Sequence, residues 1–149
     1  DVIRSHPLYR ALRVGKLTLA ALEPTLRLFK APELLPQRHR TYSMIARPID
    51  EIERQANETA AAIAEKQPKW NVDVVTTESF LGGGSLPGSE LPSFAVRIRP
   101  DAGSLNGVAQ RFRTAPIPVI PQIKYDAILL DMRTILPDEL EDVVKATAQ

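Results

Sequence analysis

The chain has 149 residues, 44% of them apolar and 25% charged, which supports one packed core and excludes disorder as the main description. It contains no cysteine and only two histidines, His6 and His39, excluding a disulfide framework, a thiolate nucleophile, a Cys-ligated metal and a His-rich metal site. The net charge of +1 conceals a division, with nine Lys/Arg against three Asp/Glu in residues 1–47 and ten against fifteen in 48–149, so an anionic partner is expected for the first third. No apolar run approaches the roughly 20 residues that span a bilayer, and no signal-peptide pattern opens the chain. A cytoplasmic protein with no membrane partner is expected. The first residue is Asp1 rather than Met, as expected of a fragment or a processed chain.

In chain order, residues 16–30 place Leu19, Leu22, Leu26 and Phe29 on one helical face, with Leu17, Ala21 and Leu28 beside it. Pro24 removes the bond to the carbonyl of Ala20, so a kink or a short first piece is expected there. A helix with so broad an apolar face needs cover from another domain or chain. Residues 31–48, with Pro32, Pro36 and Pro48, read as a connector around a short helical piece at 40–46. Pro48 is placed to be the first residue of the next helix. That helix ends near Lys66 and turns Ile49, Ile52, Ala56, Ala60 and Ile63 to one side, with Glu51, Arg54, Asn57, Glu58 and Glu65 solvated opposite.

After Pro68 the period changes to two. Trp70, Val72, Val74 and Thr76 form one side of a strand, and Phe94, Val96 and Ile98 one side of the next, joined by a Gly/Pro-rich loop from Leu81 to Pro92. Ser104 is placed to cap a short helix with Leu105, Val108 and Phe112 on one face, weakened by Gly107. Residues 117–124 and 127–132 read as strands turning at Tyr125-Asp126, and the last helix opens at Pro137. The order from residue 48 is α, β, β, α, β, β, α. The expected fold is α+β, a small antiparallel sheet with helices on one face, preceded by a linking helix. The expected division is 1–47, the basic motif and linking helix, and 48–149, the α+β domain.

Three groups of residues could carry chemistry. Arg10 and Arg13 lie three apart beside Arg4 and Lys16; such a pair can grip one phosphate or carboxylate, or form a solvated basic face. His6, before Pro7, is read either as a backbone-capping turn residue or as an acid/base. Gly82, Gly83, Gly84 and Ser85 can let a ligand approach the backbone, or can form a wide turn. That loop lacks the Lys-Ser/Thr ending of a P-loop. Arg111, Arg113, Lys124 and Arg133 are read as surface, and Asp126 and Asp131 flank the last strand without a recognisable acid/base pairing.

The run His6-Pro7-Leu8-Tyr9-Arg10-Ala11-Leu12-Arg13-Val14-Gly15-Lys16-Leu17-Thr18-Leu19-Ala20-Ala21-Leu22-Glu23, with Gly82 to Gly88, Leu91-Pro92-Ser93 and Leu129-Leu130-Asp131-Met132-Arg133-Thr134, closely resembles the C-terminal part of the bacterial L-seryl-tRNA(Sec) selenium transferase (selenocysteine synthase) family. The resemblance covers nearly the whole chain. It implies the C-terminal small domain of a fold-type I enzyme that uses pyridoxal phosphate (PLP), makes selenocysteyl-tRNA(Sec) from seryl-tRNA(Sec) and selenophosphate, and assembles as a homo-oligomeric ring of dimers. It assigns selenophosphate binding to Arg10 and Arg13. It also implies that the Schiff-base lysine lies upstream of Asp1, so that this chain alone is inactive and binds no PLP covalently. Gly15, Pro24 and Pro121-Gln122 depart from the family pattern. Two other readings stay open: the small domain of a related PLP enzyme acting on a small amino acid or sugar, and a non-catalytic RNA-binding or assembly module.

Overall fold

The structure, a computed structural model, describes residues 2–81 and 90–147. The chain divides into two compact units, Asp1–Ser43 and Met44–Gln149.

The first unit is helical. Short turns α1 (Val2–Ser5) and α2 (Leu8–Ala11) precede α3 (Lys16–Leu28), a 3-10 turn at Pro32–Leu34, α4 (Leu35–Arg38) and the start of α5 (Arg40–Ala46). The short first piece expected at Pro24 does not occur: α3 runs through it as one helix. Its surroundings supply the reason. The helix is exposed around Ala20 and Pro24, so water can satisfy the carbonyl that the proline leaves without a donor. Where α3 ends, Phe29 packs edge-on against Tyr42, whose ring in turn meets His39, at centroid distances of 5.6 and 5.3 Å.

The second unit is built on α6 (Ile49–Lys66), which buries Ile52, Ala56, Ala60 and Ile63. Pro48 lies just outside the helix, extended at φ −60° and ψ 145°, rather than as its first residue. Ile49 is exposed rather than part of the buried stripe. The sheet has the order β1 (Asn71–Phe80), β2 (Glu90–Arg99), β4 (Ala127–Asp131), β3 (Gln122–Lys124), all antiparallel. Val96 and Ile98 of β2 and Ile128 and Leu130 of β4 meet α6, Val108 and Phe112 of α7 (Leu105–Thr114), and Val143 and Ala146 of α8 (Leu140–Ala146) in one core. Trp70, Val72, Val74 and Phe94 pack against that core, as alternation predicts. The helices therefore cover one face of the sheet and the other stays open. The fold is α+β.

Several local expectations hold for the stated reasons. Ser104 Oγ accepts from Gly107 N at 3.0 Å; a Cβ at Gly107 would come within 3.2 Å of that oxygen, so the glycine leaves room for the cap. Tyr125 and Asp126, at φ 54° and 51°, form a two-residue turn between paired Lys124 and Ala127, the left-handed geometry that matches strand twist. Other expectations do not hold. Residues 117–121 form no strand, since Pro116, Pro118 and Pro121 cannot donate to a ladder. Pro92, read as loop, lies inside β2 opposite Glu78. β4 pairs with β2 only from Ala95 to Ile98, so Pro92 sits where that side of β2 is an edge, and no ladder bond is lost.

Arg133, read as surface, is buried at 5% exposure. Asp131 Oδ1 accepts from the Arg133 backbone N at 3.1 Å, turning the chain so that the side chain enters the protein. There its Nη1 donates to the carbonyls of Met44, Ile45 and Arg47 at 3.1–3.2 Å, and its Nε donates to Pro92 O at 3.1 Å. Arg47 is buried beside it and donates from Nη1 to Met132 O and Ile135 O, both at 2.8 Å, and from Nη2 to Gln55 Oε1. Replacing Arg133 by Met strips four carbonyls of their donor and is expected to destabilise this unit by about 2–4 kcal/mol. Arg113→Met, at an exposed position, is expected to change stability by less than about 0.5 kcal/mol; urea midpoints followed by near-UV circular dichroism check both.

Candidate functional site

The basic leading segment is shaped by short-range bonds. His6 Nδ1 accepts from Leu8 N at 3.2 Å, so His6 is the backbone-capping turn residue. Arg10 is in the last turn of α2, and Arg13 N donates to Arg10 O at 3.4 Å. Both arginines therefore lie around one turn, although the helix has already stopped at Ala11. Both are exposed, and among the described residues no ion pair reaches either guanidinium. Not every cation of the first third is available in this way. Arg47 is engaged with buried carbonyls and Arg27 with Glu23 at 2.7 Å.

Beside Arg13 lies an apolar groove of about 600 Å³, walled by Val2, Ile3, Leu8, Leu12 and Leu19. Leu17, Leu22 and Leu26 are exposed on α3 as well. The first unit thus presents a cationic turn next to a large uncovered apolar surface, well beyond scattered single residues. Gly82, Gly83, Gly84 and Ser85 lie outside the described residues, so the structure neither brings them to Arg10 and Arg13 nor separates them.

On the open face of the sheet, Asp131 accepts the hydroxyls of Ser93, at 2.6 Å, and Ser79. With the Arg133 amide this carboxylate is satisfied internally and acts as a structural tie rather than an acid/base. Asp73 faces Arg97 across the β1–β2 ladder and accepts from its Nε at 2.8 Å and from its Nη2, with Arg99 at 4.0 Å. Sequence reading missed both groups, because cross-strand neighbours follow from register and not from spacing along the chain.

Among the described residues, no group of three His, Asp or Glu could hold a metal ion, and no helix is long and apolar enough to cross a membrane. All six lysines, Lys16, Lys30, Lys66, Lys69, Lys124 and Lys145, are exposed. None is held in a desolvated pocket of the kind that prepares an amine for an imine with PLP.

The Arg97 hydrogen bond, more than the neighbouring positive charges, holds the Asp73 carboxyl below its ordinary range. A depressed folded-state value means that its stabilisation is present above the unfolded carboxyl range and lost as pH falls through the folded value. Asp73→Asn is expected to lower stability at pH 7 by well under about 1 kcal/mol, given the pair's partial exposure. The difference from the parent should vanish at the acid end of a urea-midpoint series between pH 2 and 7.

Comparison with known proteins gives a consistent result. The family model described as L-seryl-tRNA selenium transferase matches residues 1–136. Curated proteins named L-seryl-tRNA(Sec) selenium transferase are 42% identical over 136 residues in Klebsiella pneumoniae, 37% over 145 in Moorella thermoacetica and 38% over 149 in Hyphomonas neptunium. These alignments cover 89%, 97% and 99% of this chain but 29%, 31% and 32% of the relatives. The chain spans about three-tenths of the length of the curated relatives it matches.

Proposed function

This chain belongs to the L-seryl-tRNA selenium transferase family, and from that premise we propose that it is the small-domain portion of a longer PLP-dependent enzyme that converts seryl-tRNA(Sec) to selenocysteyl-tRNA(Sec) with selenophosphate. The observation that carries this reading is the family match across residues 1–136. PLP would serve as electron sink, held by parts of the longer protein beyond these residues. The setting is cytoplasmic, and the longer protein is a homo-oligomer.

Within this chain, the role falls to Arg10 and Arg13. Selenophosphate is a compact oxyanion, and two guanidinium groups around one turn offer several N–H donors with fixed positive charge. Their part is to bind and orient the donor and to offset its charge near the reacting centre. What supports this is the exposed pair beside Lys16, which no salt bridge engages among the described residues. Residues 1–47 serve as motif and linking helix, and 48–149 as the small domain. The apolar surface of α3 packs on the seven-tenths of the longer protein that this chain does not span, which gives that surface the burial it lacks here.

In the longer protein, Arg10→Ala or Arg13→Ala is expected to raise KM for selenophosphate by about tenfold or more, the scale of a lost charge-assisted hydrogen bond. Affinity for seryl-tRNA(Sec) should stay within twofold. Equal loss in both measurements would count against the donor role. The 149-residue chain mixed with PLP is expected to show no imine absorbance, with no lysine trapped by borohydride; stoichiometric trapping at a single lysine overturns the placement of cofactor binding elsewhere.

A further inference from the structure

The open face of the sheet is concave. A groove of about 380 Å³ crosses it, with Thr77, Arg97, Gln122, Lys124, Tyr125 and Thr134 among its walls. It continues into a smaller hollow of about 320 Å³ that Lys124 and Tyr125 share with Thr76, Glu78 and Phe80. Opposite corners of the twisted sheet, the end of β1 and the β3–β4 turn, therefore meet over one cleft.

The chemistry of that cleft is specific. Phe80 and Tyr125 are 67% and 75% exposed, and among the described residues no ring contact joins them to each other. Tyr125 stands at φ 54°, a backbone conformation usually given to Asn or Gly in such turns, so a bulky ring is displayed there at a conformational cost. The Lys124 ammonium lies 4.9 Å from its centroid. Thr76, Thr77, Gln122 and Thr134 offer donors along the cleft, and of its two carboxylates Asp131 is already engaged by Ser79, Ser93 and the Arg133 amide. Glu78, on the rim, lies near enough to Glu90 for its negative charge to push the Glu90 carboxyl up, and it can accept from a ribose hydroxyl. Two exposed rings, a cation beside one of them, and hydroxyl and amide donors between them match unpaired nucleotides, whose bases stack and whose phosphates need positive charge. A duplex hides its base faces and could not use the rings.

We propose that this cleft binds a single-stranded RNA segment, with a base against Phe80 and Tyr125 and a phosphate at Lys124. The inference rests on the reading that the longer protein acts on an aminoacylated RNA, and it names which surface of this chain the RNA meets.

The test is fluorescence anisotropy of the 149-residue chain with a labelled 12-nucleotide single-stranded RNA and the duplex of the same sequence, over a salt series. Single strand is expected to bind at least fivefold more tightly than duplex. Tyr125→Asn, which suits the turn, and Phe80→Thr, which suits the strand, should each weaken single-strand binding by about fivefold or more. Lys124→Gln should reduce the slope of log K against log salt by about 0.7. Lys66→Gln, on the helical side, should change nothing. Absence of RNA binding at 50 mM salt, equal affinity for both forms, or aromatic variants that bind like the parent overturns the inference. So does a loss seen only in Arg10→Gln/Arg13→Gln. None of these results bears on the donor role, which is read from KM for selenophosphate.

Discussion

Two buried guanidinium groups hold the second unit together. Arg47 and Arg133 lie 86 residues apart in the chain, yet Arg133 bonds the Arg47 carbonyl while Arg47 bonds the carbonyls of Met132 and Ile135 on either side of Arg133. Each side chain thus closes the other's backbone. Burial lowers the proton affinity of both, and in Arg47 the charge of Arg133 adds to that effect while Glu51 opposes it. An arginine stays charged even so. Its five donors in a fixed fork suit a place where several carbonyls point inward without strand or helix partners.

Much of the architecture follows from this crossing. The backbone at 44–47 is tied to the end of β4, and this anchors the start of α6, whose Gln55 reaches the same knot. The unpaired length of β2 is held through Pro92 O, where β4 has already ended. With α6 fixed against β1 and β2, α7 against β4, and α8 against α6 and α7, the apolar residues of β1, β2, β4 and these helices converge on one side. The opposite side keeps its cross-strand pairs, Asp73 with Arg97 and Asp131 with two serines, and remains concave and polar. The core gives the fold its stability, and the open face is left for recognition.

The two units contribute different things. The first carries the family's most specific run, an exposed arginine pair on a turn capped by His6, and an apolar surface that this chain does not cover. The second is a self-contained α+β layer with its own core. Leu17, Leu19, Leu22 and Leu26 of α3 stand exposed, and the chain spans 29% of the Klebsiella pneumoniae relative's length.

From the sequence by itself came the α+β class, the element order after residue 48, the Ser104 cap, the Tyr125-Asp126 turn, the arginine pair and the family. Each of these depends on local periodicity, local turn chemistry or a contiguous motif, which a single chain displays directly. Tertiary structure decided the rest. It buried Arg133 and Arg47, which charge counting had placed on the surface or credited to an anionic partner, because a cation's location depends on carbonyls some 85 residues away. It carried α3 through Pro24, because solvent can satisfy the freed carbonyl. It admitted Pro92 to a strand, because strand order made that stretch an edge. It also brought Phe80 to Tyr125, because the twist of a four-stranded sheet, and not any spacing in the chain, determines which corners meet.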